Sequence, residues 1–152
     1  MGLRIFGYVC LGIISAAILA TAGVLAWFIA DRALPVKVPE TVVLTPSVKP
    51  GGRLCIRQKV EYLRDCRGNV DRALFDAHTH RVILPPVKYE RPPQGLGMRV
   101  ITTCFTVPDE FEPGEGQYHA APEYACNPLQ RYYWPITRAQ NVVRFWIERA
   151  RE

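Results

Sequence analysis

The sequence predicts an all-β domain of two packed sheets preceded by one N-terminal transmembrane α-helix. Three observations carry this. An uninterrupted apolar run occupies the start of the chain; short β-rich runs broken by Gly, Pro, Asn and Asp follow it; and the clearest of these runs alternates apolar and polar residues with the period of a strand. With 152 residues in all, the chain has room for one domain of ordinary size and a short appendage.

From Ile5 to Ala30 no residue carries a charge. At about 1.5 Å per residue a helix over this stretch reaches roughly 39 Å, more than the ~30 Å hydrocarbon core of a bilayer. Arg4 stands before it, Asp31 and Arg32 after it, and Tyr8, Trp27 and Phe28 lie toward its ends, where amphipathic rings favour the interface. Residues 1–32 are therefore read as a short tail and a membrane helix. The competing reading is a signal sequence cleaved after Ala22, since Ala20 to Ala22 has the small-x-small form; against it, eight more apolar residues follow that point. Within the helix Gly12, Ala16, Ala20 and Gly23, followed by Trp27, recur every three or four residues, a small-residue stripe on which a second helix packs closely.

Residues 33–52 carry Pro35, Pro39, Pro46 and Pro50, which exclude a helix and predict an extended stalk that enters a first strand at 41–44. The domain proper is then 53–152. Strands are predicted at 53–62, 70–75, 81–84, 98–107, 116–125 and 142–148. In the first of these, Leu54, Ile56, Gln58 and Val60 share one face while Arg57, Lys59 and Glu61 share the other. The last segment also fits a helical spacing, but its Val, Phe, Trp and Ile favour a strand.

"PGGRL" leading into a strand, "VP" ending another and a Tyr-rich strand closing on "CNP" resemble immunoglobulin-like or fibronectin-type sandwiches over roughly 41–149. The third strand lacks the tryptophan of antibody-type domains. On the strand order of such a sandwich, Cys55 meets Cys104 across two neighbouring strands, and Cys66 meets Cys126 at the end that carries the last long loop. This is one of three connectivities open to four cysteines. Two disulfides in a domain of this size place it outside the cytosol, with the N terminus inside; Cys10 lies in the helix.

Chemistry has few carriers here. "LFDAHTH" at Leu74 to His80 resembles the first metal-ligand motif of the amidohydrolase superfamily, whose (β/α)8 barrel needs ~250 residues. In this chain the stretch reads instead as a hairpin in which Asp76 starts the turn and His78 and His80 are exposed. "PDEFEPGEG", with Asp109, Glu110, Glu112 and Glu115, lacks the ligand spacing of a calcium loop. The two serines, Ser15 and Ser47, have no elbow, and "QGLGM" lacks the lysine of a phosphate loop. The net charge of +5 is dispersed, so no nucleic-acid partner is expected. Neither an enzyme, a cofactor nor a metal is predicted.

What remains points to contact with lipid and protein. Arg131, Tyr132, Tyr133 and Trp134 fall in one turn and are the residue types that dominate interface hot spots. The sequence thus predicts a single-pass inner-membrane protein with a periplasmic or otherwise extracytoplasmic binding or assembly module, an accessory subunit of a membrane or envelope complex. The alternative is an envelope metal-binding protein or enzyme using His78, His80 and His119. The RYYW turn is expected on the membrane-proximal side of the domain, with Tyr133 and Trp134 not both buried.

Overall fold

The computed structural model describes residues 2–149. A 29-residue helix, α1 (Gly2–Ala30), precedes nine strands and one short helix. The strands are β1 (Val36–Val43), β2 (Ser47–Val48), β3 (Arg53–Tyr62), β4 (Arg67–Phe75), β5 (Arg81–Tyr89), β6 (Gly97–Thr106), β7 (Gly114–Ala125), β8 (Ile136–Thr137) and β9 (Asn141–Ile147). Helix α2 (Pro128–Tyr132) lies between β7 and β8. They form two sheets, one ordered β1-β3-β6 and the other β2-β9-β7-β4-β5, with β8 paired to β7.

The alternation read in 53–62 sets the packing. Leu54, Ile56, Val60 and Tyr62 of β3 are buried, while Arg57 and Lys59 face out. One core cluster gathers Leu54, Ile56, Leu74, Phe105, Tyr118, Val143, Phe145 and Ile147 between the sheets. A second, smaller one gathers Val36, Val60, Tyr62, Tyr124 and Ile136 at the end nearer α1. The final segment is a strand, β9, hydrogen-bonded along β7 from Asn141↔Ala120 to Ile147↔Gly114.

Several boundaries differ from the sequence expectation. The Pro-rich stretch is not a free stalk, because β1 starts at Val36 rather than residue 41 and pairs with β3 from Val36↔Tyr62 to Val43↔Ile56. Pro39 is accommodated where the register shifts between Lys37 and Glu40, on an edge strand whose other side needs no donor. Further on, Ser47 and Val48 pair in parallel with Trp146 and Ile147, so this segment touches both sheets. Strand β5 continues past residue 84 to Tyr89 through Pro85 and Pro86, again at a free edge, with a register shift opposite Val70 and Arg72.

The cysteines pair as Cys55–Cys104 and Cys66–Cys126. Both bridge neighbouring antiparallel strands. Cys55 lies directly opposite Cys104 in the β3/β6 ladder, and Cys66–Cys126 extends the β4/β7 ladder one position beyond Arg67↔Ala125.

Candidate interaction site at the helix–domain junction

The apolar helix ends against the domain. Its last carbonyls, like those of any helix, lack partners within it, and the domain supplies one for the helix and one for the residue that follows it. The Asn127 side-chain amide donates to the Phe28 carbonyl at 3.3 Å, and the Gln130 amide donates to the Asp31 carbonyl. Both residues belong to the α2 turn. Asn127 is its N-cap, accepting from the Gln130 backbone N–H at 3.0 Å, and Pro128 follows, a residue suited to the first helical position because its missing N–H has no partner there anyway. Gln130 is fully buried, and its side-chain oxygen accepts from the Cys126 backbone N–H at 2.8 Å. The Cys66–Cys126 disulfide is thereby tied to the same turn.

One ion pair and one arginine–indole contact complete the junction. Arg64, just after β3, donates in fork fashion to the Asp31 carboxylate at 2.8 and 2.6 Å, and reaches the Ala33 carbonyl at 3.1 Å. The Arg64 hydrogen bonds hold the Asp31 carboxyl below its ordinary value, against an opposing contribution from burial; the Arg64 charge and Asn127 act in the same lowering direction. Arg32 donates to the Trp134 carbonyl at 2.9 Å, with its guanidinium 4.9 Å from the indole centroid.

This geometry fixes where the four residues of the RYYW turn stand. Trp134 meets Arg32 just past α1, helix α2 lies near α1, and the aromatic side chains are exposed: Tyr132 72%, Tyr133 83% and Trp134 54%. Arg131 is partly committed, reaching Glu90 at 3.6 Å and lying 5.9 Å from the Tyr132 ring. Asn127, Gln130 and Arg64 escaped the sequence reading, in which Asp31 and Arg32 are only the charges that end the apolar run. The "NP" dipeptide at Asn127–Pro128 was the available signal, a helix N-cap followed by proline.

The small-residue stripe of Gly12, Ala16, Ala20 and Gly23 lies exposed along α1, and a Cβ added at Gly12 or Gly23 meets nothing within 4 Å.

The histidine turn serves the fold. Asp76 is buried between β4 and β5, and its carboxylate accepts from the backbone N–H of His78 at 2.9 Å, of His80 at 2.8 Å and of Glu112 at 3.3 Å. Burial pushes this carboxyl up, but the three N–H donors and the His80 imidazole more than offset that, leaving it below its ordinary value. Thr79 takes the left-handed conformation at the tip, φ 67°. His78 pairs with Glu112 at 2.9 Å. His119 lies apart on β7, between Gln117 at 2.9 Å and Gln140 at 3.1 Å and over the Phe75 ring. Among the described residues no group of three or more His, Cys, Asp and Glu is arranged to hold a metal. The acidic stretch is likewise divided, with Glu112 beside His78 and Glu115 paired to Arg144 at 3.4 Å.

No protein-family model matches the chain, and no curated protein matches it by sequence. Among solved structures it is similar to the alkylpurine DNA glycosylase AlkC of Pseudomonas fluorescens (13% identity, TM-score 0.47, 77% of this chain and 31% of that one). It is also similar to a β-glucosidase from Listeria innocua (12%, 0.46, 74% and 16%). A third likeness is to a Niemann-Pick type C2 protein from the Japanese carpenter ant (15%, 0.41, 76% and 95%). The chain spans less than a third of the length of the first two. These distant likenesses in strand arrangement assign no activity to it.

Proposed function

We propose that the chain is a single-pass membrane protein with a cytoplasmic N terminus, and that its C-terminal domain is an immunoglobulin-like sandwich held outside the cytosol. There it acts as a non-enzymatic binding or assembly module, an accessory subunit of an inner-membrane or envelope complex. The reading draws on a helix long and apolar enough to cross a bilayer, with its sides exposed, and on two disulfides of the kind that persist in oxidising compartments. A departure from the constant-type arrangement is that β5 pairs with β4 rather than with β6.

The observation that carries the proposal is the junction. Asn127 and Gln130 of the α2 turn and Arg64 of the β3–β4 connection hold the end of α1 and the residues just after it, and Arg32 reaches back to Trp134, so the turn that carries Tyr132, Tyr133 and Trp134 is tied to the end of α1. Exposed aromatics on a turn held by a disulfide lose little freedom on binding, which favours an interface. The test is co-purification from native membranes. Tyr133→Ala with Trp134→Ala is expected to leave the domain folded, with no more than the small loss of the Arg32–Trp134 ring contact, and to remove the partners that the wild-type protein retains. Unfolding of the variant, or unchanged co-purification, contradicts the proposal. Intact mass of the membrane-extracted protein tests the anchor, since cleavage after Ala22 removes it.

A further inference from the structure

The two core clusters do not meet everywhere. Between the sheets lies a cavity of about 160 Å³, lined by members of both clusters, among them Val36, Val60, Ala120 and Tyr124, and by Ile101 of β6. Most of its wall is apolar. It extends to Val87 on the free edge of β5, an exposed residue, and β5 is not hydrogen-bonded to β6, the edge of the other sheet, so the space communicates with solvent along that side.

Its charged wall is one-sided. No acidic residue lines it, whereas Arg72 and Arg138 do. Arg72 is the informative one. The register shift after Val70 leaves the Pro85 carbonyl facing it, and Arg72 Nε donates to that oxygen at 3.0 Å. The guanidinium lies 5.3 Å from the Phe105 ring, inside the sandwich, and beside Tyr118. Burial pushes the Tyr118 hydroxyl up, and the Arg72 charge opposes that rise. The guanidinium is partly exposed and donates through both Nε and Nη2 to the Pro85 carbonyl, and no carboxylate pairs with it, so its charge stays available at the cavity wall.

We propose that this cavity binds the apolar chain of a small carboxylate amphiphile, whose head is held by Arg72. The size sets the class: a cavity of about 150 Å³ accommodates a benzene-sized guest, so at ordinary interior packing this one suits a straight chain of about six carbons, with any longer tail leaving past Val87. A guanidinium edge matches a carboxylate in shape as well as charge.

The experiment is isothermal calorimetry of the full chain in phosphatidylcholine nanodiscs, titrated with octanoate and separately with octan-1-ol, with empty discs subtracted. Octanoate is expected to bind saturably, one per chain, and at least tenfold tighter than octan-1-ol. Arg72→Gln is expected to weaken octanoate at least tenfold and leave octan-1-ol unchanged, and Ile101→Trp, which fills the cavity, to abolish both with the melting temperature retained. Absence of saturable octanoate binding, equal affinity for the two probes, or undiminished binding by folded Ile101→Trp overturns the proposal. If Arg72→Gln does not fold, the octanoate to octan-1-ol ratio of the wild type decides.

Discussion

Two aspartates show how single residues hold this molecule in shape. Asp76 closes the β4/β5 hairpin by accepting the backbone N–H groups of His78 and His80, and ties it to the β6–β7 connection through that of Glu112, so Asp76→Ala leaves three donors without their partner and is expected to cost about 2 kcal/mol or more in chemical denaturation. Its folded pKa lies below the ordinary 3.8. The stabilisation is therefore full above the unfolded value and is lost as pH falls through the folded one. Denaturant midpoints between about pH 6 and pH 3 should fall more steeply for the wild type than for Asp76→Asn. Asp31 obeys the same sign, so acid also loosens its grip on Arg64. The hairpin role of Asp76 was legible from its place before two histidines at a strand end. The Asp31–Arg64 pair was not, because 33 positions separate the partners and only the folded chain brings them together.

At the level of elements, proline misled where it sits at sheet edges. Pro39 suggested a stalk and Pro85 a strand end, yet β1 and β5 each have a neighbour on one side only, and a missing N–H costs nothing on the open side. The central strands β3, β4 and β7, each with a neighbour on both sides, were readable because burial imposes alternation on them. The α2 turn was missed although Asn127 and Pro128 announce it. Asn127→Ala removes both its cap and the hydrogen bond to Phe28, and a loss of about 1 kcal/mol is expected in thermal denaturation. Replacing Cys66 and Cys126 together by Ser opens a connection spanning 60 positions and should cost roughly 4 kcal/mol. It should also expose the α2 turn to proteolysis, whereas the Cys55–Cys104 pair, within the β3/β6 ladder, should leave α2 protected when replaced in the same way.

For the whole molecule, the apolar helix and the β domain were each visible in the sequence, but their attachment was not, since it depends on side chains from the β3–β4 connection and from α2 converging on the end of α1. That attachment gives the domain a near end and a far end. Trp134 belongs to the near end and Trp146, on β9 opposite Glu115, to the far one, roughly 30 Å away along β7 at about 3.3 Å per residue. The measurement that tests this most directly is quenching by brominated phosphatidylcholine of single-tryptophan proteins in vesicles. Trp27→Phe with Trp146→Phe leaves only Trp134, and Trp27→Phe with Trp134→Phe leaves only Trp146. The account predicts strong quenching of Trp134 and none of Trp146; equal behaviour of the two, quenched or not, would contradict it.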